Sequence, residues 1–337
     1  MFETIFYGDN IMDCQTSVPK KQSWLKAFFR ILFTLSIIIN FLFIFIVAGM
    51  AAITSFGQGE YLVERMLISG PIENKIAVIN LEGIIDFEAE QFVQEQINAA
   101  IDDKNVKGLI LKVQSPGGSV WASDNIHHYI TTYKQQSNKP IVCFMDGLAA
   151  SGGYYAAVAC DKIIASPTTI TGSIGVIMGH MDISRLLEEK LGIKSTTIKS
   201  GEKKDWPSMF REISIEEKAY LMNKLIEPAY SRFVQLVVDG RKNLSTDEVT
   251  TLADGSIYFA QEAMQKGLID DIGYFETAVA ATIKAAGLEN ASVVEYTKPF
   301  SLSEFIGAKS ESVLNISKNQ IIEMTTPDLM YLWTGKI

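Results

Sequence analysis

The first strong feature of the chain is a run of apolar positions with no polar face. Residues 31–53 read ILFTLSIIINFLFIFIVAGMAAI, and no charged residue occurs from Ile31 to Gly59. As a helix, 31–53 would be about 35 Å long at 1.5 Å per residue, enough to cross a hydrocarbon core of about 30 Å. A core helix of a soluble protein would carry polar residues along one side, and here Asn40 is the main interruption. Beyond residue 75 the pattern changes to short apolar runs alternating with amphipathic segments. Ile76–Leu81, Leu109–Val113, Ile141–Met145, Lys162–Ala165 and Ile174–Met178 read as strands. Between them, Glu88–Ile101, Val120–Tyr133 and Tyr154–Cys160 read as helices. Continuous apolar strands separated by helical crossovers predict a mainly parallel sheet covered on both faces.

The second half is more helical. Ser214–Glu217 and Ser245–Glu248 match capping boxes, in which a serine hydroxyl and a glutamate three residues later exchange bonds with backbone amides. After the first box, Met222, Ile226, Ala229, Phe233 and Leu236 fall on one helical face, with Pro228 placed to kink the run. Helical spacing returns over Ala260–Lys266 and Glu276–Ala286, and the chain after Tyr296 has no readable pattern. The resulting organisation is a leader at 1–30, a transmembrane anchor at 31–55, a connector at 56–75, an α/β domain at 76–290 and a tail at 291–337. Lys20, Lys21, Lys26 and Arg30 precede the apolar run, while Glu60 and Glu64 follow it. The positive-inside rule therefore keeps the leader in the cytoplasm and exports the remainder. The length of the run favours an uncleaved anchor over a signal peptide.

Composition narrows the chemistry. Lys+Arg 30 against Asp+Glu 39 gives a net charge of -9, which argues against a nucleic-acid partner. Three cysteines without a Cys-x-x-Cys pair, and three histidines, supply neither a disulfide scaffold nor a zinc site, so no cofactor is expected. Cys143 and Cys160 sit in apolar runs and read as buried free thiols. Three Gly/Ser-rich turns each follow a strand: Ser115–Ser119, Asp146–Gly153 and Thr171–Gly175. Their tips converge on one rim if the strands are parallel, and glycine pairs allow amides to approach a ligand closely. Ser151 would stand where a helix begins, either as a plain N-cap or as a nucleophile. No nucleophile elbow is present, since Ala149 stands where Gly-x-Ser-x-Gly requires glycine. His127, His128 and His180 have no triad spacing. A lysine could serve as base if burial lowered its pKa, and Lys203 and Lys204 lie in a loop before Asp205.

SPGGS at 115–119, DGLAASGGYYAA at 146–157, TGSIGVI at 171–177 and KSGEKKDWPSMFRE at 199–212 together resemble the short form of signal peptide peptidase A, also called protease IV. The segment 257–273 resembles that family too, and the likeness extends from about Ile76 to Gly287. It implies a ClpP/crotonase-like α/β domain and a Ser/Lys dyad, with Ser151 the nucleophile and Lys204, before the Asp of Ser-Gly-x-x-Lys-Asp, the general base. By the same resemblance Ser173 orients the lysine, and backbone N–H groups of Gly118 and Gly152 form the oxyanion hole. Ser256 and Ala260 depart from the family's pattern over 255–260. The implied protein is a membrane-bound serine endopeptidase of the bacterial cytoplasmic membrane that degrades remnant signal peptides or other short apolar peptides. It would be a homo-oligomer whose sites are shared between subunits, anchored in the lipid bilayer through 31–55. A crotonase-like acyl-CoA enzyme and a non-catalytic membrane scaffold are the competing expectations.

Overall fold

The computed structural model describes residues 23–56, 62–299 and 328–335. It divides into two units, residues 1–60 and residues 61–337. The first contributes one helix, α1 (Ser23–Phe56), whose apolar stretch Trp24–Gly49 has a mean hydropathy of 2.8 and none of its residues buried. That is one helix long and apolar enough to cross a membrane, as the sequence pattern predicts. The leader expected at 1–30 lies outside the described residues up to residue 22.

In the second unit the chain runs through β1 (Val63–Ile68), β2 (Lys75–Ile85), α2 (Phe87–Asp102), β3 (Val106–Ser119), α3 (Val120–Ser137), β4 (Ile141–Ala150) and α4 (Gly152–Ala157). It continues through β5 (Lys162–Ala165), β6 (Ile170–Gly172), β7 (Ile177–Met178), α5 (Ile215–Leu221), α6 (Glu227–Gly240) and α7 (Thr246–Leu252). It ends with β8 (Ile257–Phe259), α8 (Ala260–Gln265), β9 (Asp271–Ile272), α9 (Phe275–Ala285), β10 (Ser292–Thr297) and β11 (Leu329–Leu332). Among the described residues the strands join in one sheet with the main order β1-β10-β2-β3-β4-β5-β9. The central pairs β10–β2–β3–β4–β5–β9 are parallel, and β1 is antiparallel to β10 at the edge.

Both faces of the sheet are apolar, which explains why its strands read as unbroken runs. Ala77, Ile79, Leu81, Leu109, Leu111 and Cys143 point into a large core that includes residues of α2, α3, α4 and α6. The alternate residues Ile76, Val78, Ile110, Val142 and Phe144 face a smaller core capped by α9. Period-two alternation thus places neighbouring apolar residues in different cores. Cys143 and Cys160 are buried and unbridged. Arg241, itself buried, makes paired bonds to Asp270 at 2.7 and 2.9 Å and donates to the Gly267 carbonyl. Asp270 in turn accepts the Ile163 amide, so this ion pair ties α6 to β5 with its polar atoms satisfied.

Several boundaries differ from the sequence reading. Residues 63–68, expected as connector, form an edge strand, and the tail contributes β10 and β11. Both capping boxes form as expected. Pro228 lies inside one unbroken helical run over 215–240, just after the run widens into a π-type turn at Met222–Ile226. Phe233 of the expected apolar face is fully buried, whereas Met222 is exposed.

Candidate active site

Register places three chain turns side by side. Ser115 of β3 pairs with Ala149 of β4, and Ala150 of β4 pairs with Gly172 of β6. The first turn is held open by its own serine: Ser115 Oγ donates to the Gly83 carbonyl at 2.6 Å and accepts the Gly117 amide at 3.0 Å. At the end of β4 the Ser151 amide donates to the Gly172 carbonyl at 2.8 Å, and one residue beyond β6 the Ser173 amide donates to the Ser256 carbonyl at 2.7 Å. This last bond uses the backbone of residue 256, so serine at that position does not disturb it.

Ser151 is not a conventional helix cap. It stands at the N-cap of α4 yet its side chain makes no cap hydrogen bond. Its backbone has φ 54 and ψ -116, a region that residues with a Cβ rarely occupy. Holding a non-glycine there costs on the order of 1–3 kcal/mol, and such strain concentrates where function fixes a side-chain direction. Ser173 also has a positive φ, 51. Both serines are buried, and both line a cleft of about 420 Å³ together with Gly175, Tyr230, Asp254 and Trp333.

The glycines of the first two turns face each other across this point. A Cβ on Gly152 would lie 3.2 Å from the Gly118 amide nitrogen and 2.5 Å from Ser123 Oγ. A Cβ on Gly117 (φ +96) would lie 2.6 Å from the Gly152 amide and collide with the Tyr331 carbonyl oxygen. Gly118 has no room either, because its Cβ would run into the Ile85 backbone. The backbone of 117–118, the start of α4 and a carbonyl of β11 therefore meet beside Ser151. Amides gathered in this way can stabilise an oxyanion.

The tail strand was not legible in advance. β11 lies antiparallel to the first turn, with Tyr331 opposite Gly118 and Leu332 opposite Gly117, and it pairs on its other side with β7. The Trp333 amide donates to the Pro116 carbonyl at 2.9 Å. Tyr331 is fully buried, stacked on Tyr155 at 4.8 Å and packed on Phe233 at 4.9 Å, with its hydroxyl donating to the Ala229 carbonyl. The available signal was the run Leu329–Trp333 between Pro327 and Gly335, an apolar stretch of strand length bounded by breakers.

The lysines lie elsewhere in the single chain. Lys203 and Lys204 occupy a 3₁₀ turn at Glu202–Asp205 with no buried residue. Lys203 Nζ is 4.4 Å from the Tyr220 ring centroid and 5.3 Å from that of Trp206, so it is spent on aromatic contacts. Lys204 is exposed, and neither lysine lines the Ser151 cleft. Lys199 anchors the turn by donating to Asp205 at 2.6 Å, a bond that holds the Asp205 carboxyl below its ordinary pKa. The structure thus groups Ser151, Ser173, Gly118 and Gly152, and leaves Lys204 outside the group. Among the described residues no His/Cys/Asp/Glu cluster could hold a metal ion.

The sequence model of the Clp protease family matches residues 68–196, and that of peptidase family S49 matches residues 133–289. A protein of Enterococcus faecium that carries the name signal peptide peptidase SppA is 37% identical over 287 residues, covering 81% of this chain and 80% of that protein. The chain belongs to peptidase family S49. Its fold is ClpP-like α/β, and the relatives are of the SppA type. Protease 4 of Haemophilus influenzae is 37% identical over 215 residues, which is 62% of this chain and 34% of that protein. The chloroplastic serine protease SPPA of Arabidopsis thaliana is 30% identical, again over 34% of its own length, so the chain matches about a third of these longer relatives. A ClpP1 variant from Listeria monocytogenes superposes with a TM-score of 0.41 at 17% identity, over 60% of this chain and 94% of that one. Membership of S49 makes the protein a peptidase.

Two predictions follow from the histidine and the tail. Burial pushes the His127 pKa down from 6.5 to about 4, against the opposing pull of Asp124. Between those values the unfolded chain binds the proton and the folded chain does not, so stability falls as pH drops from about 6.5 towards 4. His127→Gln should flatten that part of the profile, read from thermal midpoints at pH 7 and pH 4.5. An S49 chain lacking residues 328–337 uncovers the edges of β3 and β7, and its kcat/KM for an added apolar peptide should rise several-fold over the full chain.

Proposed function

We propose that the protein is a membrane-anchored serine endopeptidase with a Ser151/Lys204 dyad, acting on signal peptides left in the membrane after preprotein cleavage. The observation that carries this reading is Ser151 itself. It is a buried hydroxyl, released from capping and held by a left-handed backbone at the wall of a cleft between glycine-rich turns. In this reading Ser151 Oγ attacks the peptide carbonyl while a neutral Lys204 takes the hydroxyl proton. The amides of Gly118 and Gly152 stabilise the oxyanion, and Lys204 delivers its proton to the leaving amine. Water then hydrolyses the acyl-enzyme with the same lysine as base. Ser173, which lines the cleft with Ser151, would orient the incoming amine.

The lysine would come from a neighbouring copy. The segment that carries it is rich in apolar side chains facing solvent in the single chain, including Met181, Leu191, Ile193, Ile198 at 98% and Ile215 at 91% exposure. Monomeric surfaces seldom carry so much, and a second copy packed on this region would cover it. Docking would also strip water from Lys204, the step that lowers an amine's pKa. An extended peptide would bind as β11 does, as a strand between β3 and β7 with one side chain in the Tyr155/Phe233 recess. The anchor is α1, single-pass in the bacterial cytoplasmic membrane, with the leader inside and the peptidase outside.

Ser151→Ala and Lys204→Ala should each lower peptide hydrolysis at least ~1000-fold without changing the oligomer. Co-assembled one to one, the two inactive variants should recover about a quarter of wild-type activity, because that share of shared sites receives both native residues. Absence of recovery in verified mixed assemblies overturns sharing between copies. Full activity of either single variant overturns the dyad.

A further inference from the structure

The Ser151 cleft carries a single kind of charge. Among the described residues that line it, Asp254 is the one with a charged side chain; the others are apolar, hydroxyl-bearing or glycine. The turn that presents it is fixed: the Ser256 amide donates to Asp254 Oδ1 at 2.9 Å, and the Gly255 amide donates to the Ile174 carbonyl at 3.1 Å. Bonds from Ser256 hold the Asp254 carboxyl below its ordinary pKa, so it is ionised at neutral pH. Lys266, a cation felt at Asp254, is engaged elsewhere: it pairs with Glu262 at 3.5 Å and stands 5.2 Å from the Tyr258 ring centroid.

Register says which part of a peptide meets this carboxylate. Along β11, Tyr331 lies opposite Gly118 and Leu332 opposite Gly117, and the Trp333 amide then bonds to Pro116. Leu332, Trp333 and Thr334 line the cleft together with Asp254 and Tyr230. A peptide bound in the place of β11 therefore brings to Asp254 the residues two and three positions after the one in the Tyr155/Phe233 recess. An uncompensated carboxylate between low-dielectric walls favours a cation there and repels an anion. The Tyr230 ring on the same cleft suits a cation as well. Lys204 does not cancel the charge, because a general base acts as the neutral amine.

We propose that Asp254 is a specificity-determining residue that selects peptides with a lysine or arginine two or three residues after the recess residue. The inference rests on the Ser151 peptidase reading above, with β11 marking the peptide's path. A cation bound at Asp254 also cancels a negative field that would otherwise keep the Lys204 amine protonated.

The test uses the full chain in a non-ionic detergent at neutral pH. Three internally quenched peptides of leucine, alanine and one tyrosine differ only in lysine, norleucine or glutamate two residues after the tyrosine. The wild type should cleave the lysine peptide with a kcat/KM about tenfold above the norleucine peptide, and the glutamate peptide should be poorest. Asp254→Asn keeps an acceptor for the Ser256 amide and loses the charge, so its three values should fall within about twofold of one another. The wild-type preference should also shrink as sodium chloride is raised, a reading that needs no variant to fold. Equal wild-type values for the three peptides, or a preference indifferent to salt, overturn this inference while leaving a Ser151-dependent peptidase standing. A lysine preference that survives in Asp254→Asn overturns it too. Cleavage that persists in Ser151→Ala, or no cleavage of any peptide, removes the peptidase reading and this inference with it.

Discussion

The site depends on the backbone of one residue. Ser151 lies where β4 hands over to α4, and the parallel pairing of β4 with β3 and β6 fixes both sides of that junction. The amide of Ser151 is tied to Gly172, and α4 beyond it is buried, so the strain of a positive φ is held in place by the sheet. The return on that strain is direction. A hydroxyl that could have capped a helix is turned into a cleft instead. The glycines at 117, 118 and 152 are required for the same reason, since a Cβ on any of them meets backbone or a serine hydroxyl within 3 Å.

A second constraint concerns what lies beside that serine. The edges of β3 and β7 are separated by the width of one strand, and the chain's own residues 329–332 fill the gap. β11 obtains main-chain bonds on both sides there, a mode of pairing that does not depend on its sequence. Its side-chain anchor is Tyr331, held between Tyr155 and Phe233. The apolar cavity of about 500 Å³ behind β7 shares Val176 and Ile177 with the Ser151 cleft, so the same strand borders both.

Much of this was readable from the chain, and the reasons for the exceptions are physical. The buried strands announced themselves because a two-faced sheet needs apolar residues at consecutive positions, as in Ile76–Leu81 and Ile141–Met145. The capping boxes at Ser214 and Ser245 were legible because their chemistry is local. β1 and β11 were missed because their partners lie far off in the chain, β10 over two hundred residues from β1, and β3 and β7 both well upstream of β11. At Pro228 the periodicity predicted the helical run, while the π-type turn at Met222–Ile226 just before it carries no pattern of its own. Lys204 is the deepest case. The resemblance alone named it, and in the single chain it lies in an exposed turn away from the Ser151 cleft, so neither spacing nor the fold of one chain brings it to Ser151.

The pairing of those two residues is best tested by the reactivity of Ser151 in the intact assembly. A peptidyl fluorophosphonate should label the wild-type oligomer at Ser151, with the adduct located by mass spectrometry. In Lys204→Ala assemblies of unchanged size the labelling rate should fall at least about a hundredfold, the usual loss when a general base is removed. Equal labelling rates with and without the Lys204 amine, or an adduct on another serine, would contradict the account.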